Sequence, residues 1–377
     1  MPTNHPPPHP SPAGDTLQAA LSQARIPGLD ALRALAVFLV LADHSGWAGP
    51  FGLPLFDGGF GVMLFFVLSG FLITRGLLTE LRQNDRIGLG RFYLRRAARL
   101  LPVFYVYVLV GLVLLTLAHR PVPWGAIWSS SAYVINYYQA FTGAASHYLS
   151  HCWSLAVEEQ FYMLWPLALL LIHRHVRISW HGVLALTLAL IGCRLAWVAA
   201  GAPDEYLYRA LETRGDQLAL GGLLACAVAS ERVRLAFAKV PARGWVLLIC
   251  LSLVVLSFNT FRGTNVLKYA VGFSIESLLV TVALPLVVLA ANEANGATSR
   301  LLNAAWLAWV GRISYGIYLF HPMVLHPVRN TLTRLGLNTD VAIAISMVAV
   351  AVVAHISFRW FEEPLRQRIV QNKRPTA

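Results

Sequence analysis

GLDALRALAVFLVLADHSGW, residues 28–47, decides how the chain folds. Its apolar run is long enough to cross the roughly 30 Å hydrocarbon core of a bilayer, yet it carries Asp30, Arg33, Asp43 and His44. Ionisable groups inside a membrane span are costly and mark functional positions by default. Arg33 and His44 are eleven residues apart, close to a whole number of helical turns, so they share one face about 16 Å apart along the axis. Snorkelling of each side chain to its own interface would also place them so, but would not require the common face.

The rest of the chain agrees with a membrane setting. Of 377 residues 57% are hydrophobic and only 13% charged, where a soluble domain carries about 25% charged residues; the mean hydropathy is +0.59. Apolar runs predict an all-α polytopic bundle of about ten spans, near 29–49, 58–75, 101–118, 153–172, 179–200, 216–230, 244–261, 270–291, 305–325 and 340–361. With the N-terminus placed in the cytoplasm, 20 of the 30 Lys and Arg fall in cytoplasmic segments, 7 in outside segments and 3 within spans. That bias is the positive-inside pattern, and it predicts cytoplasmic termini. It also assigns the formal charge of +12 to basic loops at a membrane surface, so no nucleic-acid partner is expected. Residues 1–25, rich in Pro and His and lacking an apolar h-region, read as a disordered cytoplasmic tail. The membrane domain is expected over 26–366, with a second cytoplasmic tail over 367–377. The four cysteines form no CxxC pair, so neither a disulfide framework nor a metal site is indicated.

Three further patterns bear on chemistry. Arg95, Arg96 and Arg99 cluster near the cytoplasmic face, where guanidinium groups suit phosphate, although holding the anionic leaflet would use them equally well. Glu158 and Tyr162 stand at i and i+4, on one helix face. The long outside segment 119–152 is aromatic and fits either an interfacial belt or a contact with an acceptor.

At these residues the chain resembles the acyltransferase-3 family of integral-membrane acyltransferases, whose first helix carries an Arg, ten residues and a His, matched here by Arg33 and His44. The resemblance continues through GVMLFFVLSGFLIT at 61–74, RRAARLLP at 95–102, WSLAVEEQFY at 153–162, RGDQLALGG at 214–222, GRISYGIYLFHP at 311–322 and FEEPLR at 361–366. Two positions depart from the pattern: Asp43 precedes the His, and His321 runs directly into Pro322. The resemblance implies an O-acyltransferase of a bacterial-type cytoplasmic (inner) membrane. Its donor would be cytoplasmic acyl-CoA, most often acetyl-CoA, and its acceptor an envelope glycan, glycolipid or small natural product. It implies the stand-alone form, without the extracytoplasmic domain that some relatives append.

The span map sorts these residues into two layers. His44, Glu158, His321 and the Arg214/Asp216 pair are expected at the outer depth; Arg33, the Arg95/Arg96/Arg99 cluster, Arg312 and the Arg359/Glu362/Glu363 group are expected near the cytoplasm. Attack of a hydroxyl on a thioester needs a base, and His44 is assigned that task, with Glu158 orienting it. Arg33, Arg95, Arg96 and Arg99 are the candidate donor-binding residues. Tyr318 or His321 is expected to donate to the oxyanion. Trp153, Ser154, Tyr162, Arg214, Asp216, Ser314, Tyr315, Tyr318 and His321 are the substrate-binding candidates. Interfacial anchoring of Trp153 and Ser154, and helix packing by Ser314, Tyr315 and Tyr318, are the alternatives. Ser69 reads as close packing beside Gly70, not as a nucleophile. A transporter or flippase of a polar or anionic solute is the rival from another class.

Overall fold

The computed structural model describes residues 13–47, 57–144, 148–176, 180–241, 243–244, 246–247, 250 and 266–371, and every regular element among them is helical. A short α1 (Ala13–Ser22) leads to α2 (Leu29–Ser45), α3 (Gly58–Asn84) and α4 (Leu89–Leu117). Two short helices, α5 (Trp124–Ser131) and α6 (Ile135–Thr142), precede α7 (Cys152–Val176) and α8 (Trp180–Ala199). Then come α9 (Asp204–Arg209), α10 (Leu211–Ala227) and α11 (Glu231–Ala238). A π-helical turn at Val266–Gly272 opens α12 (Phe273–Asn292), followed by α13 (Ala297–Leu302), α14 (Ala305–Arg334) and α15 (Thr339–Ser357). A second π-helical segment, Phe358–Glu362, joins α15 to α16 (Glu363–Gln371).

Among the described residues, six helices are long and apolar enough to cross a membrane: α3, α4, α7, α8, the Val266–Asn292 helix and the helix running from Thr339 to Arg368. The protein is therefore an all-α polytopic membrane bundle, because hydrocarbon demands that every backbone group be satisfied within its own segment. Of the expected spans, the one near 244–261 lies outside the described residues almost entirely, as do residues 1–12 and 372–377 of the expected tails.

Two expectations change. Residues 13–22 are a helix, not a disordered stretch: Leu17, Ala20 and Leu21, at i, i+3 and i+4, are buried in a cluster with Met63, Val67, Leu224 and Leu284. Likewise α4 begins twelve residues before the apolar run suggested, because nothing between Leu89 and Pro102 breaks a helix. Arg95, Arg96 and Arg99 consequently sit on a helix wall rather than in a loop.

The arrangement around α2 positions everything that follows. It packs between α3 and α14, and α3 packs in turn on α10. Bare glycine surfaces permit these crossings: a Cβ at Gly70 would run into the backbone of Leu218, and one at Gly311 into the backbone of Asp30. Gly70 thus serves the close packing expected of it, while its neighbour Ser69 turns the other way, into a cavity.

Candidate active site

Two cavities meet at the Arg33 end of α2. The deeper, of about 290 Å³, is walled by α2, α3, α4, α7 and α14, and its polar lining is Arg33, Ser69, Arg96, Arg99, Ser154, Glu158, Tyr162, Ser314, Tyr315 and Tyr318. The shallower, of about 250 Å³, is lined by Asp30, Arg33, Arg99, Arg312, Tyr315, Glu362, Glu363 and Arg366. Arg33, Arg99 and Tyr315 line both, so they stand at the passage between them. Cationic side chains outnumber carboxylates in each cavity, which suits an anionic guest.

Helix geometry decides which arginine faces inward. At 100° per residue, Arg99 projects between Arg95 and Arg96 on the wheel of α4. Arg96 lies over the Tyr162 ring at 4.8 Å and lines the deeper cavity. Arg95, on the opposite flank, lines neither cavity, is half-exposed and faces Glu80 at 3.7 Å. Arg33 is held by Asp30 at 2.8 Å, and Asp30 also binds Arg25 at 2.7 Å.

Glu158 belongs to this chamber, not to the histidine layer where it was expected. Ser69 hydrogen-bonds it and Tyr162, and its electrostatic neighbours are Arg96, Arg99 and Arg33. The reason is axial: Glu158 lies six residues, about 9 Å, inside α7, whereas His44 lies on the last turn of α2. Glu158 therefore faces the arginines and Tyr162 in this structure. The i, i+4 relation with Tyr162 does hold, since both line the cavity.

At the far end of α2, three imidazoles come together. The ring of His44 stands edge to face with that of His321 at 4.8 Å, and His321 with His151 at 5.0 Å. His321 and His151 are buried, while the His44 side chain keeps 41% exposure. Tautomers follow from the partners, because a carbonyl only accepts. His44 Nδ1 lies 2.9 Å from Val40 O and His321 Nδ1 2.6 Å from Tyr318 O, so both carry their proton on Nδ1 and present Nε2 as a lone pair. Pro322 explains the second bond: it lacks the N–H that would normally bond the carbonyl of residue 318, leaving that oxygen for the imidazole. The direct His321–Pro322 junction, a departure from the family pattern, is what sets this tautomer.

His321 offers a lone pair, and the Tyr318 hydroxyl donates to His151 O at 3.0 Å while Ser154 Oγ lies 2.5 Å from it. Tyr318 and Ser154 line the deeper cavity, so this bonded pair roofs the chamber directly beneath the histidines. In the sequence His151 is one residue of an aromatic outside segment, and its place next to the WSLAVEEQFY stretch, one residue before α7, is the signal that sets it apart.

Arg214, Asp216 and Trp153 lie elsewhere. Residues two apart point to opposite sides of a helix, and the RGD order parts the two charges: Asp216 pairs with fully buried Arg194 at 2.8 Å. Arg214 lies over the rings of Phe273, Tyr208, Trp153 and Phe66 at 4.2 to 5.6 Å. Of the substrate-binding candidates, Tyr162, Ser154, Ser314, Tyr315 and Tyr318 face the cavity, His321 stands above it, and Trp153, Arg214 and Asp216 belong to the surrounding core. Ser314 and Tyr315 also pack between helices, Tyr315 bonding Leu100 O at 3.2 Å. Among the described residues, no group of His, Cys, Asp and Glu is arranged to hold a metal ion.

The helix bundle thus holds a cationic chamber beneath a set of imidazoles. Residues 26–360 match the acyltransferase-3 domain, and the chain belongs to that family. It is 31% identical over 371 residues to the peptidoglycan O-acetyltransferase OatA of Listeria monocytogenes, covering 92% of this chain and 56% of that protein. It is 29% identical to the putative peptidoglycan O-acetyltransferase YrhL of Bacillus subtilis, over 90% of this chain and 55% of the relative. With the O-acetyltransferase OatA of Staphylococcus aureus the identity is 27%, over 93% and 59%. The chain thus spans rather more than half the length of these relatives. No solved structure matches it. The fold and the relatives make it an integral protein of the bacterial inner membrane.

Proposed function

We propose that the protein transfers an acyl group, acetyl in the first instance, from cytoplasmic acyl-CoA to a hydroxyl of an envelope glycan. The observation that carries this reading is the cavity that starts among Arg33, Arg96 and Arg99 and ends under Tyr318, one helical turn from His321. CoA is a phosphate-rich head on a long, thin arm. Arg33, Arg96, Arg99, Arg312 and Arg366 would hold the phosphates, where a desolvated guanidinium fork is worth most. The arm would extend along α2 towards the roof. His44, exposed on the far side, meets the acceptor with a lone pair on Nε2 and takes the hydroxyl proton as the oxygen attacks the thioester carbon.

The topology that fits is ten spans with both termini cytoplasmic, a membrane domain over 26–366 and short tails on either side. Under it, single cysteines near 85 and 237 should be labelled from the cytoplasm and those near 135 and 205 from outside. The reverse pattern would place the arginine chamber on the wrong side for a cytoplasmic donor.

The decisive experiment uses purified protein in vesicles with labelled acetyl-CoA on one side and peptidoglycan fragments on the other. Acetyl ester on the glycan, found by mass spectrometry, with matching release of CoA is the expected result. Solute movement without any consumption of acyl-CoA would overturn the reading in favour of a transporter.

A further inference from the structure

The histidine end holds more than a single base requires. His321 is fully buried, its Nδ1–H is engaged by Tyr318 O, and its Nε2 is buried with no hydrogen-bond partner. A buried acceptor left unpaired is unfavourable, so its presence points to a proton or donor that arrives during turnover. The His44 ring is its neighbour at 4.8 Å and also presents Nε2 as a lone pair. Between them these two neutral rings can bind one proton and have none.

We infer that His321 is the positioning residue with which His44 shares the proton taken from the acceptor hydroxyl, through an Nε2–H···Nε2 bridge; this rests on the acyl-transfer reading above. The acceptor O–H bond breaks as its proton passes to His44 Nε2 and its oxygen bonds the thioester carbon. When the tetrahedral centre collapses, the C–S bond breaks and the bridging proton passes to the thiolate sulfur, leaving CoA thiol, an ester and two neutral imidazoles. Sharing spreads an imidazolium charge that an apolar site would otherwise oppose, and both Nδ1–H groups keep their carbonyl acceptors throughout.

The other groups facing the pair are Asp43, 3.8 Å from His44 Nδ1, together with Tyr318, His151, His326 and Arg329. Burial, reinforced by the charge of His44, pushes the His151 imidazole down to about 3.

A double-mutant cycle on the full chain in bilayers tests this. His321→Gln should lower kcat by about 10- to 100-fold and leave the KM for acetyl-CoA within about twofold. Because the two rings act on one proton, adding His321→Gln to His44→Gln should cost nothing further. Additive losses, or an unchanged kcat in His321→Gln, would assign His321 to packing. Solid-state spectra of 15N-histidine protein in acidified bilayers give a readout independent of turnover: one ring proton should correlate with two Nε2 nitrogens and vanish in either variant. Should the wild type fail to acylate any glycan, the functional reading fails by itself, and the presence or absence of that doubly correlated proton still decides the bridge.

Discussion

Arg33 and His44 mark the two ends of one helix, and the two ends are built on opposite principles. The Arg33 end is assembled from charge: four arginines, two ion-paired to acidic neighbours, around a cavity of about 250 Å³. The His44 end is assembled from neutral rings whose protons are fixed by backbone carbonyls. Under the proposed acyl transfer, a chamber that holds a polyanion and releases it gains from exchangeable partners, whereas a base must keep a free lone pair and is best kept away from arginines. About 16 Å of helix keeps the two requirements apart, and substitutions at each end should separate binding from chemistry.

The sharpest break in that comparison is His44→Gln. A glutamine keeps polarity and size but cannot accept a proton near neutral pH, so kcat should fall by a factor on the order of 10²–10⁴, while acyl-CoA affinity by titration stays unchanged. A fall in donor affinity of similar size would mean that the ends are not separate.

How far each end could be read in the sequence differs for a physical reason. Periodicity carries the α2 face, the i, i+4 pair of Glu158 and Tyr162, and the arginines of α4, because they depend on one helix at a time. Depth and azimuth between helices are not in that signal. Span ends alone put Glu158 level with His44, whereas the roughly 9 Å it lies inside α7 sets it beside Arg96. His151, on a turn with no period, became visible only when α7 and α14 packed together. Arg214 and Asp216 show the reverse error: two residues adjacent enough to look like one site point to opposite sides of α10.

That last distinction gives the next prediction. Arg194 and Asp216 are both fully buried, and breaking a buried ion pair by removing one partner costs about 3–5 kcal/mol. Asp216→Asn should therefore lower the melting temperature in detergent clearly, while protein that remains folded keeps its acceptor KM. A changed acceptor KM with unchanged stability would return Asp216 to the substrate site.

Arg99 should show a smaller and different effect. It lines both cavities and makes no ion pair among the described residues, so it is available to a phosphate. Arg99→Gln should raise the KM for acyl-CoA on the order of tenfold, about 1.4 kcal/mol, with kcat nearly constant. The difference from wild type should shrink in high salt as screening weakens the contact.

The smallest effect is expected at Arg95, four residues before Arg99 on the same helix, and it is the strictest test of the geometry. The sequence offers no reason to separate the two: both are arginines of one RRAAR stretch, and both would serve equally as topology determinants. In the structure Arg95 is half-exposed, 3.7 Å from Glu80, and outside both cavities. An exposed pair of that kind contributes about 0–1 kcal/mol, and no donor phosphate placed in either cavity would touch it. Arg95→Gln should therefore leave the KM for acyl-CoA within about twofold of wild type, measured at low salt where any long-range attraction is largest. A tenfold rise matching that of Arg99→Gln would show that the donor lies along the outside of α4 rather than in the chamber, and the division between the two ends of α2 would have to be redrawn around that surface.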